Sequence, residues 1–450
     1  MSLFLDLLDG HVRANPQRAA ICQGDLTLSY AELWRAASES AARFAAAGVS
    51  KRDRVLLTIS NLADDVIAIL ALARIEALPL LVSASATEGE VQHARLEFRP
   101  RWIIGGDGVS RCPLAGTQEG EPGFCLLTSG VSGAPKIVAT DWTTSLVVVR
   151  NWLRAFCNDD GERVLCTTPI CHSYGLCVGL LGPLSTGSTV VLLRGPVTAG
   201  ALCQAVRRHR VTIVQSVPVY YRVLCHVPAD RLESVRLCIS AGEALSADTR
   251  RRWRAALAPQ LCDHYGASEV GQVSIDLEDV DGSVGRPAPG CEVSIRTASN
   301  PSPDGTVWIR AAGRPCRYLG AQVDGDPSQN DGWFRTGDRG YLDAAGRLII
   351  TGRVISQINV GGHKVDRSEV EQAILSFPGV VDCAVVGQPS TWAGEQVCAF
   401  VSGAAWDPST LAQFLRSHLS GFKVPTTIKR VDAIPRTLSG KIRYGVIERW

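Results

Sequence analysis

The sequence predicts an α/β protein: a large N-terminal domain of mostly parallel sheets covered by helices, with a β-rich subdomain, and a small α+β C-terminal domain. Three observations predict it. Short apolar strands alternate with helical patterns through the first half of the chain. After about residue 280 glycine, proline and aspartate become frequent and the strands shorten. Beyond Arg353 a compact α+β pattern takes over, which sets the expected domains at 1–353 and 354–450.

The elements follow in order. "LSYAELWRAASESAARFAAAG" opens with a capping box, Ser29 and Glu32, and continues at helical spacing. "DRVLLTIS" is a buried strand and "DDVIAILALARIEA" a helix lying on it. The alternation recurs through the strands "RVLCTT" and "STVVLL", the helix "AGALCQAVRRHR", the strands "VTIVQSV" and "VRLCIS", and the helix "SADTRRRWRAAL". "GCEVSIR", "GTVWIR" and "GYLDAAGRLIITG" are the short strands of the β-rich part. Asp366 and Glu369 cap a helix carrying Val370, Ile374 and Phe377, stopped by Pro378. "VVDCAVVG" and "VCAFVSG" are strands, and Asp407 and Pro408 start a last helix with Leu411, Phe414 and Leu415 inward.

Composition excludes several classes. The 450 residues are 46% hydrophobic and 20% charged, with a net charge of +2. Bulk charge therefore gives no case for nucleic acid or an acidic membrane surface. No apolar run reaches the roughly 20 residues of a membrane span, and the N-terminus lacks signal-peptide features. The 15 cysteines form no CxxC pair, so buried free thiols in a reducing cytoplasm are expected. Lysine occurs only at 51, 136, 364, 423, 429 and 441, so a lysine here is expected where a compact point charge is wanted.

"LLTSGVSGAPKIV" (126–138) is rich in hydroxyls and flexible backbone and ends in Lys136. Such a loop cradles phosphate, but it also suits an ordinary surface turn. It is not the common GxxxxGK[ST] loop, because no Ser or Thr follows Lys136. Four more stretches occur in order: "DHYGASEVG", "GWFRTGDRGYL", "ITGRVISQINVGGHKVDRSEVE" and "IPRTLSGKIR". Together, and over nearly the whole chain, these motifs resemble the adenylate-forming superfamily of acyl- and aryl-CoA ligases, peptide-synthetase adenylation domains and luciferases.

That resemblance implies ATP and Mg²⁺, a carboxylic acid substrate, and coenzyme A or a carrier-protein phosphopantetheine as acceptor. It implies that Thr128, Ser129, Gly130, Ser132, Gly133 and Lys136 form the phosphate loop. Gly242 would line the adenine and acyl pockets, and Tyr265 would flank adenine. Ser268 keeps the hydroxyl of a usual Thr, and Glu269 would bind magnesium. Asp338 would take the ribose hydroxyls with Arg353 beside it. Lys441, on a mobile lid domain, would be the catalytic lysine. His172, in "HSYG", would border the carboxylate pocket, with Ser173, Tyr174, Val217 and Gly266 as pocket residues. Gly361 and Gly362 would form the thiol channel. Val131, Ile137 and Ile355 depart from the family pattern, the last at the expected hinge.

The absence of an "FDxS"-type aspartate argues against an α-amino acid and for a fatty, aryl or other simple acid. The chain ends just after Lys441, so no fused carrier domain is expected and a carrier protein would be loaded in trans. The basic stretches 249–254 and 207–210 are candidate docking faces for one, though solvated helix faces carry such charges too. Adenylation of an amino acid for a peptide synthetase, a catalytically silent nucleotide-binding relative, and a kinase-like phosphotransferase are the competing expectations.

Overall fold

The computed structural model describes residues 3–106, 108–113, 123–128, 136–155, 161–193, 195, 197–297, 304–312, 316–319, 331–353, 357–360, 363–390, 394–437 and 440–450. Two mixed sheets carry the first 290 residues or so. The nine-stranded sheet has a parallel centre formed by Arg163–Cys166, Thr189–Leu192, Ile213–Ser216, Leu237–Ser240 and Gln260–Ala267. The seven-stranded sheet has a parallel centre of Arg54–Ile59, Leu78–Ser83, Trp102–Gly105 and Phe124–Thr128. Strands buried on both faces need continuous apolar runs, and Val55, Leu56, Leu57 and Ile59 are all buried. Helix Ala63–Ile75 lies in the same core, buried on most sides, which is why it reads as nearly unbroken hydrophobics.

The predicted caps form at Ser29, Asp366 and Asp407, whereas Glu369 pairs with Lys423 instead of capping. Ser29 and Glu32 make the reciprocal capping box of helix Tyr30–Ala46. Asp366 accepts from Ser368 N–H at 2.8 Å, and Asp407 caps Pro408–His418. A further short helix, Tyr444–Ile447, follows, so the Asp407-capped helix is not the last. The sequence pattern also missed Tyr174–Leu181, an eight-residue helix wound wider than an α-helix, whose end is marked by Gly182 N–H donating to Cys177 O. Gly175 and Gly179 let it press on the strand ending at Cys166, since a Cβ at either would strike Pro169 O or Cys166 Sγ.

The β-rich region forms a four-stranded antiparallel sheet of Cys291–Arg296, Gly305–Ala311, Trp333–Leu342 and Leu348–Arg353. Beyond it, Gln357–Val360, His363–Asp366, Asp382–Ser390, Gly394–Ser402 and Thr427–Arg430 make a five-stranded sheet. That sheet has its own core of Val365, Val370, Ile374, Val385, Val401, Leu411 and Leu415. Among the described residues no helix is long and apolar enough to cross a membrane, and the described cysteines are free, most of them buried.

The basic stretch 249–254 is occupied within the chain. Arg250, 2% exposed, donates to Asp276 at 2.6 Å and Asp279 at 3.0 Å. Arg251 and Arg252 pair with Asp248, and Arg254 with Asp279 and Asp281. Removing one partner of a buried pair leaves an uncompensated charge. Arg250→Ala is therefore expected to cost about 3–5 kcal/mol of unfolding free energy in urea titrations. Arg251→Ala, at an exposed pair, is expected to cost under about 1 kcal/mol.

Candidate active site

The expected site residues collect at the carboxyl ends of parallel strands, where ligands bind in α/β folds. His172 follows strand Arg163–Cys166, Val217 follows Ile213–Ser216, and Gly242 follows Leu237–Ser240. Thr128 ends Phe124–Thr128 and pairs with Lys136 across an antiparallel hairpin. Ser129, Gly130, Val131, Ser132 and Gly133 lie outside the described residues, as do Ile355, Gly361 and Gly362.

Three sheets meet through two tyrosines. Strand Gln260–Ala267 of the nine-stranded sheet carries Tyr265, and a bulge between Tyr265 and Gly266 turns the chain toward Ser268 and Glu269. Gly266 is confined at that bulge, because a Cβ would sit 2.6 Å from Gly271 O. Tyr265 donates its hydroxyl to Asp338 Oδ2 at 2.5 Å, which joins the four-stranded sheet. Arg353, directly opposite Asp338 in the register, donates Nε–H to Oδ1 at 2.7 Å. Thr336 Oγ1 accepts from Asp338 N–H at 3.0 Å and fixes the local turn. Tyr318 belongs to the seven-stranded sheet and donates to Glu269 Oε1 at 2.9 Å. Lys136 Nζ lies 5.0 Å from the centre of the same ring. Lys136, Tyr318 and Glu269 thus form one group and Tyr265, Asp338 and Arg353 another.

Lys441 arrives from the far end of the chain. Its loop is a tight turn: Arg436 and Ile442 form an isolated bridge, Thr437 N–H donates to Lys441 O at 2.7 Å, and Gly440 N–H to Thr437 O at 2.9 Å. Gly440 has φ +83°, and a Cβ there would lie 2.7 Å from Val217 Cγ2. Val217 therefore seats this loop, and it also lies 3.7 Å from where a Cβ of Gly242 would be. Lys441 remains accessible in an open cleft, yet the cleft walls displace enough water to penalise its charge. That burial, and then the Arg353 guanidinium, lower its pKa from the ordinary 10.5, against the opposing charges of Glu269, Glu243 and Asp338. Lys441 in turn acts on His172, whose imidazole is pushed down to about 4 by burial and then by the Lys441 charge.

The predicted pocket residues divide. Ser173 precedes the wide helix and Tyr174 opens it. Tyr174 donates its hydroxyl to Ile239 O at 2.8 Å and stacks on His264 with centroids 5.4 Å apart. Trp152 meets the same histidine edge-on at 5.0 Å. His264 is buried with neither ring nitrogen hydrogen-bonded, and burial pushes its pKa down to about 3, so it is a neutral aromatic wall. Tyr318, Thr336, His264 and Glu243 were not singled out from sequence. Glu243 had a signal, since it follows Gly242 in "SAGEAL"; Tyr318 sits in a stretch with no motif.

This geometry puts a carboxylate, Glu269, beside one lysine and within the field of a second, and a second carboxylate, Asp338, where it accepts two hydrogen bonds. Among the described residues no group of three His, Cys, Asp or Glu can hold a metal alone. A single carboxylate suffices for Mg²⁺ that arrives on phosphate oxygens and keeps its waters, so Glu269 fits that ion. Comparison with known proteins decides the family. The model of the AMP-binding enzymes matches residues 8–117 and 107–314, and that of their C-terminal domain matches 369–441.

The chain belongs to the AMP-binding enzymes. It is similar to triostin synthetase I of Streptomyces triostinicus, 29% identical over 97% of this chain and 92% of the relative. It is similar also to the salicyl-AMP ligase / salicyl-S-ArCP synthetase of Mycobacterium tuberculosis, 28% identical over 98% and 90%. Its fold matches the crystal structure of the anthranilate CoA ligase AuaEII in complex with anthranoyl-AMP at a TM-score of 0.88, with 21% identity over 99% and 96% of the two chains. As an AMP-binding enzyme of the acid–thiol ligase kind, it activates a carboxylic acid as the acyl-adenylate and passes the acyl group to a thiol.

The field around Lys441 gives a direct check. A lowered pKa means that the ammonium is lost at lower pH than an ordinary lysine's 10.5. Competitive acylation read by peptide mass mapping is expected to give Lys441 a reactivity midpoint below that value. Arg353→Gln, which removes the larger repulsive charge, is expected to raise it. A midpoint at or above 10.5 in the wild type contradicts the geometry.

Proposed function

We propose that Glu269 holds Mg²⁺ on the ATP phosphates, that Asp338 with Arg353 takes the ribose hydroxyls, and that Tyr265 flanks adenine. Thr128, Ser129, Gly130, Ser132, Gly133, Lys136 and Ser268 contact the phosphates. The observation that carries this assignment is the convergence of three sheets on Tyr265–Asp338–Arg353 and Lys136–Tyr318–Glu269, with the turn before Lys441 seated on Val217. In the adenylating step a carboxylate oxygen attacks the α-phosphorus, the bond to the β-phosphate oxygen breaks, and pyrophosphate leaves. Two anions must approach each other, so charge has to be neutralised as it builds at phosphorus. Lys441 sits between them and supplies it, and bound Mg²⁺ adds Lewis acidity at the phosphates. His172, neutral above about pH 4, shapes the carboxylate approach without binding that anion as an ion pair.

The substrate class is a simple carboxylic acid with no required α-amine, and aryl acids come first. The stretch Cys171–Leu181 contains no carboxylate to hold an amine. Behind Ser173 the core packing is aromatic, with Tyr174 stacked on His264 and Trp152 edge-on to the same ring. Relatives named for salicyl, feruloyl and hydroxybenzoate substrates support the same class. The acceptor is the phosphopantetheine thiol of a carrier protein, a reading that the relative named salicyl-S-ArCP synthetase supports; coenzyme A is the second reading, favoured by the several relatives named as CoA ligases. Residues 1–353 form the adenylating domain and 354–450 a mobile lid. In thioester formation the lid turns and Gly361 and Gly362 line the thiol channel. The buried free thiols favour a reducing compartment, the cytoplasm.

The test is a panel of aryl, aliphatic and amino acids with ATP and Mg²⁺, read as AMP and pyrophosphate, followed by coenzyme A or a holo carrier protein. ADP as product, or amino acids as the preferred substrates, contradicts the proposal. Lys441→Ala is expected to slow adenylation on the order of 10²–10³-fold. The same variant, given presynthesised acyl-adenylate, is expected to form thioester at near wild-type rate. Gly362→Leu is expected to do the reverse. Glu269→Gln and Asp338→Ala are both expected to impair adenylation.

A further inference from the structure

The loop that carries Lys441 is fastened by charges that no substrate requires. Arg436, five residues before the lysine, donates to both oxygens of Glu243 at 2.9 and 2.8 Å. It also donates to Asp382 at 2.8 and 2.9 Å, and to Gly440 O inside the loop. Glu243 accepts further from Ile442 N–H at 3.1 Å, so it grips the loop on both sides of Lys441. Asp382 in turn accepts from Arg222 at 2.8 Å. Arg222 lies in helix Pro218–Leu224 and Glu243 follows strand Leu237–Ser240 of the nine-stranded sheet, whereas Asp382 opens a strand of the five-stranded sheet and Arg436 follows its strand Thr427–Arg430. The four charges alternate in sign along one chain that crosses between the two parts twice.

All four are shielded from water, with side chains between 9% and 25% exposed. At that exposure charge-assisted bonds outlast screening by salt, and losing one partner strands the others. Burial works against the Arg436 charge, but its bonds to Asp382 and the charge of Glu243 outweigh it and hold the guanidinium protonated. The backbone fits the same purpose, since only glycine at 440 lets the turn close on Val217.

We propose that Arg222, Asp382, Arg436 and Glu243 form a latch that holds the C-terminal region in the adenylating arrangement and so positions Lys441. The latch rests on the adenylating role of Lys441 proposed above. These are positioning residues: they touch no reacting atom and act through the lysine. They also set how readily the lid leaves, because both crossings must break when Lys441 withdraws.

Amide hydrogen exchange on the ligand-free protein tests the latch apart from the chemistry. Arg222 donates to Asp382, outside the 436–443 loop, yet Arg222→Ala is expected to speed exchange in that loop at least tenfold while Val385 and Val386 in the adjoining strand stay unchanged. Glu243→Ala is expected to do the same. Unchanged exchange in the loop of Arg222→Ala overturns the latch, even if Glu243→Ala, which directly frees the Ile442 amide, speeds it. With ATP, Mg²⁺ and the best acid of the panel, Arg222→Ala is expected to lower kcat for pyrophosphate release about tenfold and leave KM for ATP unchanged. Arg222→Lys is expected to recover part of that loss. In a Lys441→Ala background Arg222→Ala is expected to add nothing. A full multiplicative loss there shows that Arg222 does not act through the lysine and overturns the proposal. If no acid in the panel yields pyrophosphate with the wild type, the functional reading fails and the exchange result alone decides the latch.

Discussion

The placement of one ammonium group organises this molecule. In the role proposed for Lys441 the cleft walls matter, because in bulk solvent the attraction of an ammonium for a phosphate is screened to little. A desolvated lysine is costly, so the cleft must offset that cost with nearby carboxylates. Glu269, Glu243 and Asp338 all raise its tendency to stay charged, while Arg353 opposes them. The carboxylates come from connections of the large sheets, and the lysine from residue 441 of 450. Everything between them serves to bring the two ends together.

The way three sheets converge follows from that need. Strand ends alone fix position along one sheet, not between sheets. Two phenols do the joining: Tyr265 to Asp338 and Tyr318 to Glu269. Each hydroxyl donates to a carboxylate, the stronger class of hydrogen bond, and each ring brings rigid apolar bulk to the junction. Burial and the neighbouring Asp338 charge raise the Tyr265 pKa well above the ordinary value, so this phenol stays a donor across the physiological range.

Much of this was legible in sequence wherever the signal is local. Capping boxes at Ser29, apolar strand runs such as Val55–Ile59, and turns rich in Gly and Asp each carry their cause in a few neighbouring residues. Tyr174–Leu181 was not legible because nothing in "YGLCVGLL" distinguishes five-residue hydrogen bonding from four; packing on Cys166 and Leu153 decides it. The docking-face expectation for 249–254 weakened for a related reason. A run of arginines states its charge but not its partners, and Asp276 and Asp279 lie more than twenty residues away. Asp338, Glu269 and Lys441 were singled out because they sit inside motifs, and the structure puts the first two on the tyrosine junctions. Tyr318, Arg222 and Asp382 were missed because each acts through long-range pairs, and pairs leave no pattern in a single sequence.

His172 is the residue closest in kind to a second cation. An imidazolium there would bind the incoming carboxylate tightly before reaction, and binding the ground state as well as the transition state gains no rate. Burial and Lys441 hold the ring neutral instead, at about 4. In the mechanism proposed above, the positive charge on the carboxylate side is then concentrated in a group that would leave with the lid. Withdrawal of Lys441 after adenylate formation would remove that charge from the cleft, whereas a fixed imidazolium would remain beside the acyl carbon while the thiol approached. A neutral histidine and a departing lysine are thus two parts of one proposed arrangement: attraction present for the first half-reaction and absent for the second.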